Sequence, residues 1–223
     1  RRNQLLGVDT GEEEKEERQK SVSEVDQSEG GASTCSLRYT GSPMPFVSAA
    51  CFFYFCAFSG NQNVWYLFIT HSMGWGPSLI GAYDAYEGFF QFLSMTLVPW
   101  IVMKVFKRYV DIYWLLIGYT ARAAHYVLLG TASSTSTIFA IAPLLLFGAI
   151  LAPRSRSIVS QCVTMEEQAD VLSGFSAMQG SAQFFAPLMA FGYTLSVYSA
   201  PYTIYLVFGG LCALGAGCIL VVL

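Results

Sequence analysis

The 223-residue sequence predicts an all-α membrane protein with six transmembrane helices. Three observations predict it: an apolar share of 54%, a charged share of only 12%, and six separate apolar runs. A water-soluble globule averages ~45–50% apolar and ~25% charged residues. Each run is near the ~20 residues that a helix needs to cross a ~30 Å hydrocarbon layer at ~1.5 Å per residue. None shows the period-2 alternation of a membrane barrel, so helices are left as the way to satisfy the backbone in lipid.

The first element is not a span. Residues 1–45 carry 6 of the 12 basic and 9 of the 15 acidic groups, which accounts for the whole net charge of −3. From Gly7 to Pro43 the chain is Glu, Lys, Gln, Ser and Gly with almost no branched or aromatic residues. Such a segment buries too little apolar surface to offset the entropy of ordering it, and it reads as a disordered linker. The chain opens in mid-linker without an initiator Met and closes on an apolar helix at Leu223, which reads as a fragment of a longer protein. The remaining residues, 46–223, form the expected six-helix bundle.

The spans fall at about 46–70, 78–103, 109–131, 137–155, 170–197 and 202–223. In the first, Ser59-Gly60-Asn61-Gln62-Asn63 interrupts an apolar run. A glycine followed by three amides predicts a locally unwound stretch facing protein or water, with Asn61 and Asn63 as cavity candidates. The second and third spans carry four ionisable groups at membrane depth, each costing at least ~2.5–3.5 kcal/mol on the insertion scale. Asp84 and Glu87 are spaced i, i+3 on one helix, Arg122 and His125 likewise on the next. Counted from the outer edges, Glu87 and Arg122 both lie ~13 Å deep, and Asp84 and His125 ~9 Å. This predicts the pairs Glu87–Arg122 and Asp84–His125 across adjacent antiparallel helices. They serve either to fix helix register or as part of a proton relay, since His and a desolvated carboxylate can both titrate near neutral pH.

The fourth span is uniformly apolar until Arg154 and Arg156. In the fifth, Ser176, Gln179 and Gln183 fall close to one stripe, suited either to a polar substrate or to a neighbouring helix. The last carries Gly209, Ala213 and Gly217 at i, i+4 spacing, a close-packing seam. Eleven of the twelve basic residues lie in the linker, the 104–111 turn and the 153–170 turn, so these segments and both chain ends are placed in the cytoplasm.

Several patterns then converge. Trp75 and Leu79-Ile80-Gly81 open the second span. The fourth closes in Arg156-Ser157-Ile158-Val159-Ser160-Gln161-Cys162-Val163, and Glu167-Gln168 open the next. From about residue 46 onward the sequence resembles the C-terminal half of a major facilitator superfamily transporter, and within it the proton-coupled folate transporter and thymic stromal cotransporter family. The resemblance implies a twelve-helix fold with alternating access in which these spans are helices seven to twelve, residues 1–45 the central loop, and an N-terminal six-helix half the missing partner. It implies that the first, second, fourth and fifth spans line the cavity, that Arg156 matches the family's arginine linked to proton coupling and substrate binding, and that no cofactor is needed. The expected partners are a small organic solute, anionic and folate-like by the charge of Arg156, together with protons and the lipid bilayer; nucleic acid is not among them. The plasma membrane or an endo-lysosomal membrane is the expected location. The family carries a histidine in its central loop, and residues 1–45 contain none.

Other classes fit less well. Gly174-Phe175-Ser176-Ala177 faintly resembles the rhomboid serine motif, but both histidines, His71 and His125, precede Ser176, so no dyad forms in the required order and no enzyme is expected. Those two histidines do not make a metal-ligand cluster, and the six cysteines include no CxxC pair. The alternative is a self-contained six-span protein that dimerises as a small transporter or receptor subunit.

Overall fold

The computed structural model describes residues 44–105, 110–163, 165–197 and 200–223, which among them form helices and turns and no strand. The linker expectation therefore lies almost wholly outside the described residues; Met44 and Pro45, assigned to its end, already belong to the first helix.

Helix α1 (Met44–Met73) runs unbroken for 30 residues. It stops at Gly74, whose φ of 65° is the left-handed conformation open to glycine, and whose N–H bonds back to the Thr70 carbonyl at 3.1 Å. Pro77 then opens α2 (Pro77–Val105), where its missing N–H costs no hydrogen bond. Between the two, buried Trp75 donates its indole N–H to Thr135 Oγ1 at 3.1 Å and packs edge-on to Trp65. Helix α3 spans Val110–Thr131. Ser134 caps the next run, its hydroxyl accepting from the Thr137 N–H at 3.2 Å.

That run, Thr135–Gln161, is broken into α4 (Thr135–Ile141), a 3-10 turn (Ala142–Leu144), α5 (Leu145–Gly148) and α6 (Leu151–Gln161). Proline explains the breaks: Pro143 sits in the 3-10 turn, and Pro153 cannot donate to the carbonyl of Ala149, where α5 has just ended. The same device divides the next run. Pro187 opposes the carbonyl of Gln183, and the chain splits there into α7 (Gln168–Gln183) and α8 (Phe185–Ser196). Helix α9 (Thr203–Val222) completes the bundle.

Three of these runs are long and apolar enough to cross a membrane: Met44–Met73, Thr135–Gln161 and Thr203–Val222. The other three expected spans are helical but are not among them. Helix α2 carries Asp84 and Glu87, Arg122 and His125 interrupt the apolar stretch of α3, and the fifth span is cut in two at Phe184.

Helix α1 contacts α7, α8 and α9, and α9 packs chiefly against α1 and α3. Its inner face is Tyr205, Phe208, Cys212, Gly215 and Ile219, spaced by three or four residues. The packing seam differs from the one expected. A Cβ on Gly209 would come within 2.7 Å of Val127 and one on Gly215 within 2.9 Å of Tyr119, whereas Gly217 has open space beside it and Ala213 is exposed. The i, i+4 spacing identified a small-residue face, but the neighbours' bulk decides which small residues are required.

Three further expectations change. Residues 59–63 are not unwound; α1 is continuous through them. Asn63 donates its side-chain N–H to the Ser59 carbonyl at 2.9 Å within the helix, and Gly60 is a contact point where an added Cβ would lie 2.6 Å from Phe208 Cε1. Arg154 and Arg156 stand on α6 rather than in a turn, because Leu151, Ser155, Ile158 and Val159 form a buried stripe that carries the helix on to Gln161. The basic turn at 104–111 falls wholly outside the residues whose side chains are described.

Candidate solute site

The polar residues of α1 and α2 converge on one cleft of about 180 Å³. Asp84, Glu87 and Gln91 lie at i, i+3 and i+7 on one face of α2, and Asn61 and Trp65 at i, i+4 on the facing side of α1. Trp65 Nε1 donates to Asp84 Oδ1 at 3.2 Å, and the Tyr66 hydroxyl donates to Asp84 Oδ2 at 2.9 Å. One turn along, Gln91 Nε2 donates to Glu87 Oε1 at 2.9 Å. Asn61 is 8% exposed, and its Oδ1 is buried without a hydrogen-bond partner. Gln62 and Gly88 complete the rim.

The basic groups of α3 are elsewhere. Arg122 is 2% exposed; its Nε donates to the Tyr126 hydroxyl at 3.2 Å, and its guanidinium carbon stands 5.0 Å from the Tyr126 ring centre and 5.8 Å from that of Phe58. Its stem crosses Gly148, where a Cβ would lie 3.2 Å from Arg122 Cδ. His125 is equally buried, edge-on to Tyr126, with no partner at Nδ1.

Neither expected cross-helix pair is made: among the described residues no ion pair joins Glu87 to Arg122 or Asp84 to His125. The reason is topological. Although α2 and α3 are consecutive, both pack against the broken segment Ala142–Gly148, which lies between them, more than against each other. Equal depth in a bilayer aligns residues along its normal but says nothing of lateral neighbours. The two groups still act on one another electrostatically, Arg122 on Glu87, without contact.

A second polar node joins α6 to α7. Arg156 Nη2 donates to Gln179 Oε1 at 2.7 Å, and its guanidinium carbon lies 5.9 Å from the centre of the buried Phe175 ring. Gln183 and Ser176 are exposed on α7, and the Ser176 hydroxyl donates back to the Leu172 carbonyl at 3.0 Å. Asn63 is exposed on α1, outside the cleft lining. A larger cavity of about 260 Å³, between α2 and α6 at Met95 and Pro153, holds none of the expected site residues.

No protein-family model matches the chain, and no curated protein matches it.

Of the expected site residues, the structure gathers Asn61, Asp84 and Glu87 in one cleft and Arg156 with Gln179 in another place, and leaves Arg122 and His125 in the interior. Trp65, Tyr66 and Gln91 were not foreseen. Helical spacing would have found two of them, since Gln91 stands four residues after Glu87 and Trp65 four after Asn61. Tyr66 carries no such signal; only the approach of α1 to α2 brings its hydroxyl to Asp84. Among the described residues no group of three His, Cys, Asp or Glu side chains is placed to hold a metal ion.

Proposed function

We propose that this chain is one half of a secondary active transporter that moves a small organic solute across a membrane by alternating access, with proton coupling. The observation that carries the reading is the placement of polar groups on outward surfaces of otherwise apolar helices. On α2, Phe89 is more than half exposed on the side away from the cleft, as a lipid-facing residue would be, while Asp84, Glu87 and Gln91 line the cleft. Charged and amide groups at membrane depth are sustained where they face a wet cavity, and such cavities in transporters lie at the interface between two halves. Arg156 and Gln179, on α6 and α7, supply a second polar node, and the guanidinium is a bidentate donor suited to a carboxylate. The topology with both ends in the cytoplasm, and a plasma-membrane or endo-lysosomal location, belong to the same proposal.

The test is uptake of labelled folate and other organic anions by cells expressing the complete reading frame, at mildly acidic and at neutral pH. Saturable uptake that rises with acidity is the expected result. Uptake indifferent to pH would overturn proton coupling, and an Arg156→Ala variant with normal uptake would remove that residue from the site.

A further inference from the structure

We infer that the cleft between α1 and α2 binds the protonated amine of a small organic molecule. The inference goes beyond the transport reading, since it concerns binding to the chain itself.

The hydrogen-bond inventory of the cleft is unbalanced. Three donors from its walls are engaged on the carboxylates: Trp65 and Tyr66 on Asp84, and Gln91 on Glu87. Two carboxylates remain, with no Lys, Arg or His in ion-pair contact with either among the described residues; the Arg122 guanidinium that acts on Glu87 is spent on Tyr126 and Phe58. Among the described residues Glu87 Oε2 accepts no hydrogen bond. Asn61 Oδ1, on a side chain 8% exposed that lines the same cleft, is an acceptor buried without a donor. A buried polar atom without a partner is costly, and an acceptor beside two carboxylates calls for a cationic donor.

The walls narrow the class of cation. Trp65 and Tyr66 put aromatic rings into the lining beside the carboxylates, surroundings that suit an alkylammonium better than a strongly hydrated metal ion. The volume of about 180 Å³ corresponds to roughly six waters at ~30 Å³ each, room for an ammonium group and a short alkyl chain. An ammonium presents three N–H donors, which Glu87 Oε2, Asn61 Oδ1 and the second lone pair of an Asp84 oxygen match.

The experiment uses the 223-residue chain in lipid nanodiscs, with n-butylammonium as the probe and saturation-transfer NMR on its methylene protons as the readout. The expected result is saturable binding of butylammonium, with neither n-butanol nor butyrate competing. Glu87→Gln and Asn61→Leu, which keep side-chain size while removing a charge and an acceptor, each weaken binding by about ten-fold or more. Gly88→Leu abolishes it by filling the cleft, where an added Cβ meets nothing within 4 Å. Variants are compared only where their circular dichroism matches that of the unmutated chain. The selectivity among butylammonium, butanol and butyrate needs no variant, so the inference stands or falls even if all three misfold. No saturable binding, equal binding of butanol or butyrate, or displacement by sodium or magnesium at equal concentration would overturn it, as would full affinity in a folded Glu87→Gln chain.

Discussion

Replacing Gly60 by Ala tests the account of α1 most directly. In an unwound segment the added methyl would meet no crowded wall. In the continuous helix, the new Cβ lies 2.6 Å from Phe208 Cε1, 3.0 Å from Phe208 Cζ and 3.3 Å from Met189 Cγ. Met189 is flexible, but Phe208 is fully buried with Tyr126 and Tyr205 at 5.6 and 5.7 Å between ring centres, so its ring has little room to retreat. Overpacking of this kind costs ~1–3 kcal/mol, and Ala returns ~0.5–1 kcal/mol of helix preference over Gly. The net expectation is a loss of about 1–2 kcal/mol. Cys51 and Cys212 are fully buried, so reaction with a fluorescent maleimide during heating reports the unfolding transition. Gly210→Ala is the internal control: its Cβ meets nothing, and it should stabilise by ~0.5–1 kcal/mol. A second substitution, Phe208→Leu, should couple to Gly60→Ala, making the pair less costly than the sum by ~0.5 kcal/mol or more. If Gly60→Ala proved neutral or stabilising while Gly210→Ala behaved as expected, the close approach of α1 to α9 at this point would be wrong.

Other outcomes follow from single contacts. Ser134→Ala removes the N-cap of α4 and should lower stability by ~1 kcal/mol in the same thermal assay, while Ser134→Asp should retain most of it. Trp75→Phe keeps the ring against Trp65 and Tyr83 but loses the bond to Thr135; a cost of ~1–2 kcal/mol is expected, and Thr135→Val should add little once Trp75 has been replaced. Arg156→Gln removes an exposed side chain, so its stability should change by less than ~1 kcal/mol; uptake, by contrast, should fall, and a large loss of stability would assign Arg156 to the fold instead.

Composition and apolar runs were enough to expect helices, and the described residues are helical with three runs long and apolar enough to cross a membrane, because length and apolarity can be read in a window of one chain. The structure ends and starts helices by local chemistry at Gly74, Pro77 and Ser134, which the apolar runs alone did not single out. The same local reading went astray at Asn61 and Asn63, where a Gly and amide run resembles an unwound stretch, but Asn63 bonds within its own helix and Gly60 admits Phe208. In the site, helical spacing already set Asp84 and Glu87 on one face, and the structure keeps them together. What spacing could not supply was the partner across the gap. Asp84 finds Trp65 and Tyr66 from α1 rather than His125, and Arg122 finds Tyr126 and Phe58 rather than Glu87, because the broken segment after α4 lies between α2 and α3. A sequence specifies depth and face along each helix through short-range periodicity. Which helices become neighbours depends on how their side-chain volumes fit together, and only the tertiary structure decided that.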